Sequence, residues 1–262
     1  MFKSKKITRT VKKVLLTVML LATCMLTSQA MAEDKPTAEF STSVLSKYVW
    51  RGFAFSEDSI VIQPSMTVAY KGLSVNLWGN LDTDQQNDDT NNWNETDLTI
   101  SYNKSFGKLG ATVGYIYYAL DSVDDSQEVF LSLSYDTLLS PTLSVYREFA
   151  HYPHWYITAD ISHSFPVTKD ISLDLGGLIS YQISDDASAY PDGKDTDDEF
   201  SGLHHAELSA SLSIPVNNYI TVSPQIAYTF PLGSDAGDQI ELLSVDGDSN
   251  HFFGGVTASF AF

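Results

Sequence analysis

Residues Ile171–Ile183, with the sequence ISLDLGGLISYQI, alternate between two kinds of side chain. One set is apolar apart from a glycine, and its members are Ile171, Leu173, Leu175, Gly177, Ile179, Tyr181 and Ile183. The other set is small or polar with one exception, and it comprises Ser172, Asp174, Gly176, Leu178, Ser180 and Gln182. Alternation over this length predicts a β-strand with one apolar and one polar face.

The same alternation recurs along most of the chain beyond residue 32. It is clear in Leu73–Asp82 and His205–Ile214, and no segment shows a convincing helical period of 3.6. The apolar faces run for five to seven positions, which matches the roughly 25 Å apolar band of a membrane barrel. The pattern predicts twelve strands, at 38–51, 59–71, 72–83, 95–105, 108–121, 127–137, 142–151, 154–165, 170–184, 203–214, 219–230 and 250–262.

The links between the predicted strands differ at the two ends of the sheet. Links after even-numbered strands are tight, whereas four of the six links after odd-numbered strands are longer and acidic, at 84–94, 122–126, 185–202 and 231–249. This arrangement predicts an all-β fold, a transmembrane antiparallel up-and-down β-barrel of about 12 strands, with short periplasmic turns and longer acidic external loops. The alternative is a soluble β-sandwich, whose strands are shorter and alternate less strictly.

The first 32 residues predict a cleaved signal peptide. Six basic residues accompany the apolar run Val14–Leu26, and Ala30–Ala32 (Ala-Met-Ala) fits a signal-peptidase site. The apolar run is shorter than the roughly 20 residues of a membrane-spanning helix. We therefore expect a signal peptide at 1–32 and a barrel at 33–262, exported to the outer membrane of a Gram-negative bacterium. Cys24 is the one cysteine, so the barrel is expected to form no disulfide.

The predicted mature chain is strongly acidic. It keeps 9 Lys and Arg against 33 Asp and Glu, a net charge of −24. Nucleic acid is not expected as a partner, because phosphate binding requires clustered Lys and Arg. The expected partners are outer-membrane lipid and lipopolysaccharide. The barrel-assembly machinery is also expected, because the last predicted strand ends in the aromatic residue Phe262.

The polar faces carry charged side chains that are candidates for lining a pore. They are Lys47, Arg51, Asp82, Asp97, Glu128, Asp160, Asp174 and Glu207. Carboxylates around a lumen raise the local concentration of cations, so we expect the lumen to favour cations or polar neutral solutes over anions. The alternative is that these groups pair with Lys47, with Arg51 or with one another across a closed plug.

Metal binding and catalysis are not expected, and no cofactor is predicted. The acidic segments 192–199 and 246–250 carry oxygen ligands and glycines but lack the spacing of an EF-hand loop. The chain has no Gly-x-Ser-x-Gly and no His-Glu-x-x-His motif. His163 and His204 fall on the predicted lipid-facing side of their strands, which does not favour a hydrolase.

Two further expectations concern the outer surface of the barrel. Aromatic residues at strand ends, among them Tyr48 and Trp50, predict girdles at the membrane interface. Arg147 falls on the apolar face of its strand between Val145 and Phe149, which predicts a break in register near 146–148.

The segment Ser46-x-Tyr48-x-Trp50-Arg51-Gly52 resembles the signature of the TorF family of small proteobacterial outer-membrane proteins. The specific match covers about 25 residues; Pro64 fits the family pattern, whereas 53–56 departs from it. The resemblance implies an outer-membrane barrel with a pore role and without enzyme activity. In this register Lys47 and Arg51 point into the lumen, where Asp82 or Asp97 is the expected partner of Arg51.

The sequence thus predicts a porin-like channel for passive diffusion of small polar solutes or cations, and not an enzyme. The alternative is a non-conducting barrel whose acidic external loops bind a partner, a surface or a divalent metal. The content of the lumen separates these two possibilities. Conduction becomes doubtful if Trp78, Tyr118, Tyr156 and the loop 185–202 fill the lumen.

Overall fold

The computed structural model describes residues 35–84, 92–193 and 195–262. The predicted signal peptide, 1–32, lies outside these residues. In chain order the elements are β1 (Thr37–Leu45), β2 (Val49–Trp50), β3 (Phe53–Ala54), β4 (Val61–Tyr70), β5 (Leu73–Asp82), β6 (Asn92–Phe106), β7 (Leu109–Leu120), β8 (Ser126–Tyr135), β9 (Thr142–Glu148), β10 (His154–Pro166), β11 (Ser172–Ser184), β12 (Pro191–Asp192), β13 (Asp195–Glu199), β14 (Ser201–Pro215), β15 (Ile220–Pro231), α1 (Ser234–Leu243) and β16 (His251–Ala261).

Twelve of these strands form a closed antiparallel barrel, in the order β1-β16-β15-β14-β11-β10-β9-β8-β7-β6-β5-β4. The first strand closes the ring, since Phe40 of β1 lies opposite Phe260 of β16 on one side and Met66 of β4 on the other. Closure leaves no unpaired edge among these twelve strands. The predicted fold class is therefore confirmed. We call the end with the long connections the outer end and the end with the tight turns the inner end.

The outside of the barrel wall is apolar. Leu77, Ile179 and Leu208 point outward and are 52%, 50% and 58% exposed, and similar exposed side chains follow one another around the wall. A soluble protein rarely exposes so large a contiguous apolar surface. The alternation in sequence therefore separates an outer surface suited to hydrocarbon from a polar lumen.

The first strand is shorter than predicted, and this changes the position of the residues that follow it. Strand β1 ends at Leu45 rather than at residue 51, and β2 and β3 form a separate hairpin. The turn residues Arg51 and Gly52 both have positive φ, 52° and 88°, as a two-residue type I′ turn requires. The hairpin folds into the lumen instead of extending the wall.

The helix α1 was not predicted, because 231–249 was expected to be an irregular loop. Its inward face consists of Ala236, Gln239 and Ile240, which are all buried. The helix packs against β3, β12, β14 and β15. No helix among the described residues is long and apolar enough to cross a membrane.

A β-bulge alters the register between β11 and β14. The pairing shifts between Ile179 and Tyr181, and as a result both His204 and His205 are buried, at 0% and 2% exposure. The prediction that His204 faces lipid is therefore wrong. His163 lies on the outward face, where its Nδ1 is 2.6 Å from the carbonyl oxygen of Leu138.

The predicted register break around Arg147 is also wrong. Strand β9 pairs without a shift with both of its neighbours, so Arg147 does point outward. Its Nη1 lies 2.7 Å from Oδ2 of Asp185, and its guanidinium carbon lies 5.3 Å from the ring centroid of Trp155. The ion pair and the aromatic ring accommodate the charge without a change in the sheet.

Candidate functional site

The β2–β3 hairpin reaches across the lumen from the outer end of β1. Arg51 at its tip donates two parallel hydrogen bonds to Glu128 of β8, from Nη1 to Oε1 and from Nη2 to Oε2, each 2.7 Å long. Strand β8 is the fifth strand from β1 in one direction around the barrel and the seventh in the other. The ion pair therefore connects nearly opposite walls. Tyr118 donates a further hydrogen bond of 2.9 Å to Glu128 Oε2.

Three aromatic rings surround the guanidinium group of Arg51. The ring centroids of Tyr156, Trp50 and Tyr146 lie 4.2, 4.4 and 4.7 Å from its central carbon. These distances are within the range of a cation–π interaction. Burial alone lowers the pKa of Arg51, but the charge and hydrogen bonds of Glu128, together with the smaller effects of Tyr118 and Tyr156, outweigh burial and raise the pKa above its ordinary range. Arg51 therefore stays charged.

Two buried histidines border the hairpin tip. His154 Nε2 lies 3.2 Å from Arg51 Nη1. Gly52 packs against His205 so closely that a Cβ at residue 52 would lie 3.0 Å from His205 Cγ. His205 Nδ1 is in turn 2.8 Å from Ser180 Oγ. A side chain at position 52 would collide with His205, so the close packing of the hairpin tip against His205 requires glycine.

The second strand of the hairpin belongs to a packed plug in the outer half of the lumen. The ring of Phe53 lies 5.0 Å from the ring of His204 and 6.0 Å from that of Tyr190. Phe53, Ala54 and Ile240 of α1 are 2%, 0% and 0% exposed. Side chains from the hairpin, from the 185–200 segment and from α1 therefore fill the same space.

Contacts to the segment that follows α1 also hold the hairpin in place. The backbone nitrogen of Ala54 donates to Ser244 Oγ at 3.1 Å, and the backbone nitrogen of Val245 donates to the carbonyl oxygen of Ala54 at 3.0 Å. Lys47 forms an ion pair with Asp246. Burial on its own raises the pKa of Asp246, but the hydrogen bond from Lys47 and neighbouring donors outweigh burial and lower the pKa.

Below the hairpin the lumen contains a cavity of about 590 Å³. Trp50 and Arg51 form its outer boundary. Among the polar side chains along its wall are Ser144, Thr158, Asp160, Ser162, Glu207 and Ser209. The cavity lies on the inner side of the plug. Trp50 and Arg51 therefore belong to the plug and also border the cavity.

The predicted pore-lining residues fall into three groups. Asp160 and Glu207 line the cavity, whereas Lys47, Arg51 and Glu128 belong to the contacts that hold the plug. Three residues lie elsewhere on the inward faces: Asp82, Asp97 and Asp174. The eight residues therefore do not form one ring. Among the described residues, no group of three or more His, Cys, Asp or Glu side chains is arranged to hold a metal ion.

Two expectations, one for Arg51 and one for Tyr48, are wrong. Arg51 pairs with Glu128 rather than with Asp82 or Asp97, because the chain leaves the wall after Leu45 and crosses the lumen. Tyr48 is not in an interfacial girdle; it is 6% exposed, and its hydroxyl donates a hydrogen bond of 2.9 Å to Glu95.

Asp174 and Asp82 accept hydrogen bonds close to the ends of their strands. Asp174 accepts from Ser213 at 2.8 Å and from Ser164. Asp82 is 1% exposed and accepts from the backbone nitrogen of Asp84 at 3.0 Å. Both carboxylates therefore stabilise strand ends in this structure.

Three residues that contact the hairpin escaped prediction: Tyr146, His154 and Tyr190. Alternation places Tyr146 and His154 on inward faces, but it does not show that they meet the hairpin. The predicted indicators of a filled lumen do point inward, since Trp78 lies beside the hairpin, Tyr118 contacts Glu128 and Tyr156 contacts Arg51. Tyr190 comes from the long connection that was expected to decide between an open and a filled lumen.

The fold is a closed antiparallel β-barrel of twelve strands, which is the architecture of outer-membrane barrels. The NanC porin structure superimposes with a TM-score of 0.53 at 12% identity, covering 85% of this chain and 98% of that one. The KdgM porin, solved in complex with disordered oligogalacturonate, superimposes with a TM-score of 0.51 at 11% identity, covering 86% and 99%. At these identities the similarity concerns the fold.

A family model described as "Bacterial protein of unknown function (Gcw_chp)" matches residues 30–170, more than half of the chain. The chain belongs to this family. No curated protein matches the sequence. The outer-membrane barrel fold that the resemblance implied is thus confirmed, whereas the pore role and the name TorF stay predictions.

Proposed function

We propose that this protein is a porin-like channel of the outer membrane for passive diffusion of small polar solutes or cations, closed on its outer side by the β2–β3 hairpin. One observation carries the proposal: a cavity of about 590 Å³, with two carboxylates and several hydroxyl groups in its lining, lies directly beneath a plug that non-covalent contacts hold in place. Such contacts can be exchanged for contacts with water or a solute. The apolar outer wall supports a membrane location, reached through the predicted signal peptide and the barrel-assembly machinery.

The charge of the cavity favours cations. Asp160 and Glu207 flank Leu178 on three neighbouring strands, because Asp160 pairs with Leu178 and Leu178 pairs with Glu207. Neither carboxylate forms an ion pair with a Lys or Arg among the described residues. Unpaired carboxylates along a narrow lumen attract cations and repel anions. A polyanion such as the oligogalacturonate of the KdgM complex is therefore not the solute class that we propose.

The second candidate is a barrel that does not conduct and uses its outer loops to bind a partner. The packing of the plug favours it, because Ala54 and Ile240 are fully buried and opening would expose them. We propose no catalytic role. Ser180 Oγ lies 2.8 Å from His205 Nδ1, but no carboxylate hydrogen-bonds to His205 among the described residues, and a hydrolase needs such a group to orient its base.

The test is the reversal potential of the refolded protein in planar bilayers under a salt gradient. We expect cation selectivity, reduced in the Asp160→Asn, Glu207→Gln double variant. Lys169→Gln, an exposed substitution at an inner turn, serves as the matched control and should leave selectivity unchanged. Anion selectivity would contradict the proposed solute class. The second candidate would be favoured if neither the unaltered protein nor a variant without the hairpin conducts, although both are folded and inserted.

A further inference from the structure

We propose that the latch pocket, formed by Tyr118, Glu128, Tyr146 and Tyr156, is a binding site for solutes that carry a guanidinium group. Arg51 occupies this pocket as an intramolecular ligand. A solute with the same group therefore competes with the hairpin for the pocket. This inference rests on the proposed channel function and deepens it, because it names a class of solute.

The first support is the match between the latch pocket and a planar cation. Glu128 accepts two parallel hydrogen bonds, one on each carboxylate oxygen, which is the geometry of a guanidinium–carboxylate pair. The rings of Tyr146 and Tyr156 lie 4.7 and 4.2 Å from the guanidinium carbon. An ammonium group is a compact point charge and satisfies neither the paired acceptors nor the flat ring surfaces as well.

The second support is that the latch pocket belongs to the wall and not to the hairpin. Its four residues come from the adjacent strands β7, β8, β9 and β10. Backbone pairing fixes their spacing, with Tyr156 opposite Tyr146. The hydroxyl of Tyr118 holds the carboxylate of Glu128 at 2.9 Å. The pocket therefore keeps its arrangement when the hairpin leaves, and only Trp50 departs with Arg51.

The third support is access. Tyr118, Tyr146 and Tyr156 all border the cavity of about 590 Å³, together with Arg51 itself. The same cavity carries the carboxylates of Asp160 and Glu207, which increase the local concentration of a cationic solute. A solute in the cavity thus reaches the edge of the latch pocket without passing through the plug.

Competition with a tethered group sets the strength of the expected effect. A tethered ligand acts at an effective concentration on the order of millimolar. A free competitor can bind only while the pocket is empty, so its apparent affinity is its intrinsic affinity multiplied by the fraction of time that the pocket is empty. The unaltered protein should therefore bind a guanidinium solute more weakly than a variant that lacks the Arg51 side chain.

The experiment measures binding of ethylguanidinium to detergent-solubilised Arg51→Ala protein by isothermal calorimetry, with n-butylammonium as the matched probe. We expect ethylguanidinium to bind at least about tenfold more tightly than n-butylammonium. The added substitution Glu128→Gln should weaken ethylguanidinium binding at least about tenfold, because it removes a charged acceptor. The unaltered protein should bind it about tenfold more weakly than Arg51→Ala protein.

Equal binding of the two probes, or binding that survives Glu128→Gln, would overturn the proposal. Circular dichroism and heat-dependent gel mobility report whether each variant is folded. If Arg51→Ala protein fails to fold, Arg51→Gln keeps most of the side-chain volume and takes its place. Because binding is measured without a membrane, a protein that binds ethylguanidinium but never conducts would argue against the channel and not against the site.

Discussion

Arg51 and Glu128 form a buried two-hydrogen-bond ion pair that joins the tip of an inward hairpin to the far wall of the barrel. Both members of the pair are charged, whereas the second strand of the hairpin is packed among apolar and aromatic residues. Removing one partner of such a pair leaves the other charge buried without compensation, at a cost of about 3–5 kcal/mol. The pair therefore acts as the latch of the plug.

We predict that Arg51→Ala increases the channel's open probability in planar bilayers. The substitution leaves Glu128 buried and unpaired, and displacement of the hairpin lets water reach that carboxylate. The double variant Arg51→Ala, Glu128→Gln should open less often than Arg51→Ala, because no unpaired charge remains. Lys71→Ala, at an exposed inner turn, is the control. An open probability that Arg51→Ala leaves unchanged would show that the ion pair does not hold the plug.

Gly52 provides a test of the close approach between the hairpin and the wall. Gly52 and Gly247 both have positive φ, 88° and 66°, but a Cβ at residue 247 would meet no atom within 4 Å, whereas one at residue 52 would lie 3.0 Å from His205 Cγ. Ala at either position costs about 1–2 kcal/mol for the left-handed backbone.

We expect Gly52→Ala to lower the free energy of unfolding more than Gly247→Ala does, because it adds a steric clash to the same backbone cost. Chemical unfolding in detergent micelles measures both. Equal losses would mean that the hairpin tip does not press against His205 in the folded protein.

A disulfide should lock the hairpin to the wall. A Cβ built on Gly52 lies 3.3 Å from the Cβ of His205, near the roughly 3.5–4.5 Å that a disulfide spans. The predicted mature chain contains no cysteine, so the pair Gly52→Cys, His205→Cys has no competing thiol. We expect low conductance when the pair is oxidised and a rise on reduction in the same membrane. Failure of the two cysteines to cross-link would place the hairpin elsewhere.

The ion pair between Lys47 and Asp246 gives a pH dependence. The pKa of Asp246 lies below its ordinary value in the folded protein, so its contribution to stability is present above the unfolded value of about 4 and is lost as the pH falls through the folded value. We expect Asp246→Asn to lower the free energy of unfolding at pH 6. The difference from the unaltered protein should disappear as the pH falls below the lowered folded pKa of Asp246. A difference that stays constant over this range would exclude the ion pair as its origin.

Much of the barrel wall follows from the sequence, because a strand with one face toward lipid must alternate. Glu207 and Leu208 illustrate this: their faces follow from period two alone. The end of β1 does not follow, since Lys47, Val49 and Arg51 continue the alternation although the chain has left the wall. A positive φ at Arg51 is also not expected of a residue other than glycine, asparagine or aspartate.

The contents of the lumen follow from the sequence to a smaller extent. The pairing of Arg51 with Glu128 joins residues 77 positions apart, and alternation shows that both point inward without showing that they meet. The β-bulge that buries His204 has no glycine or proline to mark it. In α1, three inward residues within one short segment do not establish a helical period.

The most direct test of the hairpin as the closure of the channel is the single-channel conductance of a protein in which Val49–Ala54 is replaced by two glycines. The replacement is short enough to span the gap, because the backbone nitrogen of Phe55 lies 2.8 Å from the carbonyl oxygen of Tyr48. We predict a steady, cation-selective conductance that exceeds that of the unaltered protein measured in the same bilayer. Equal conductance of the two folded and inserted proteins, whether both are silent or both conduct, would contradict the account.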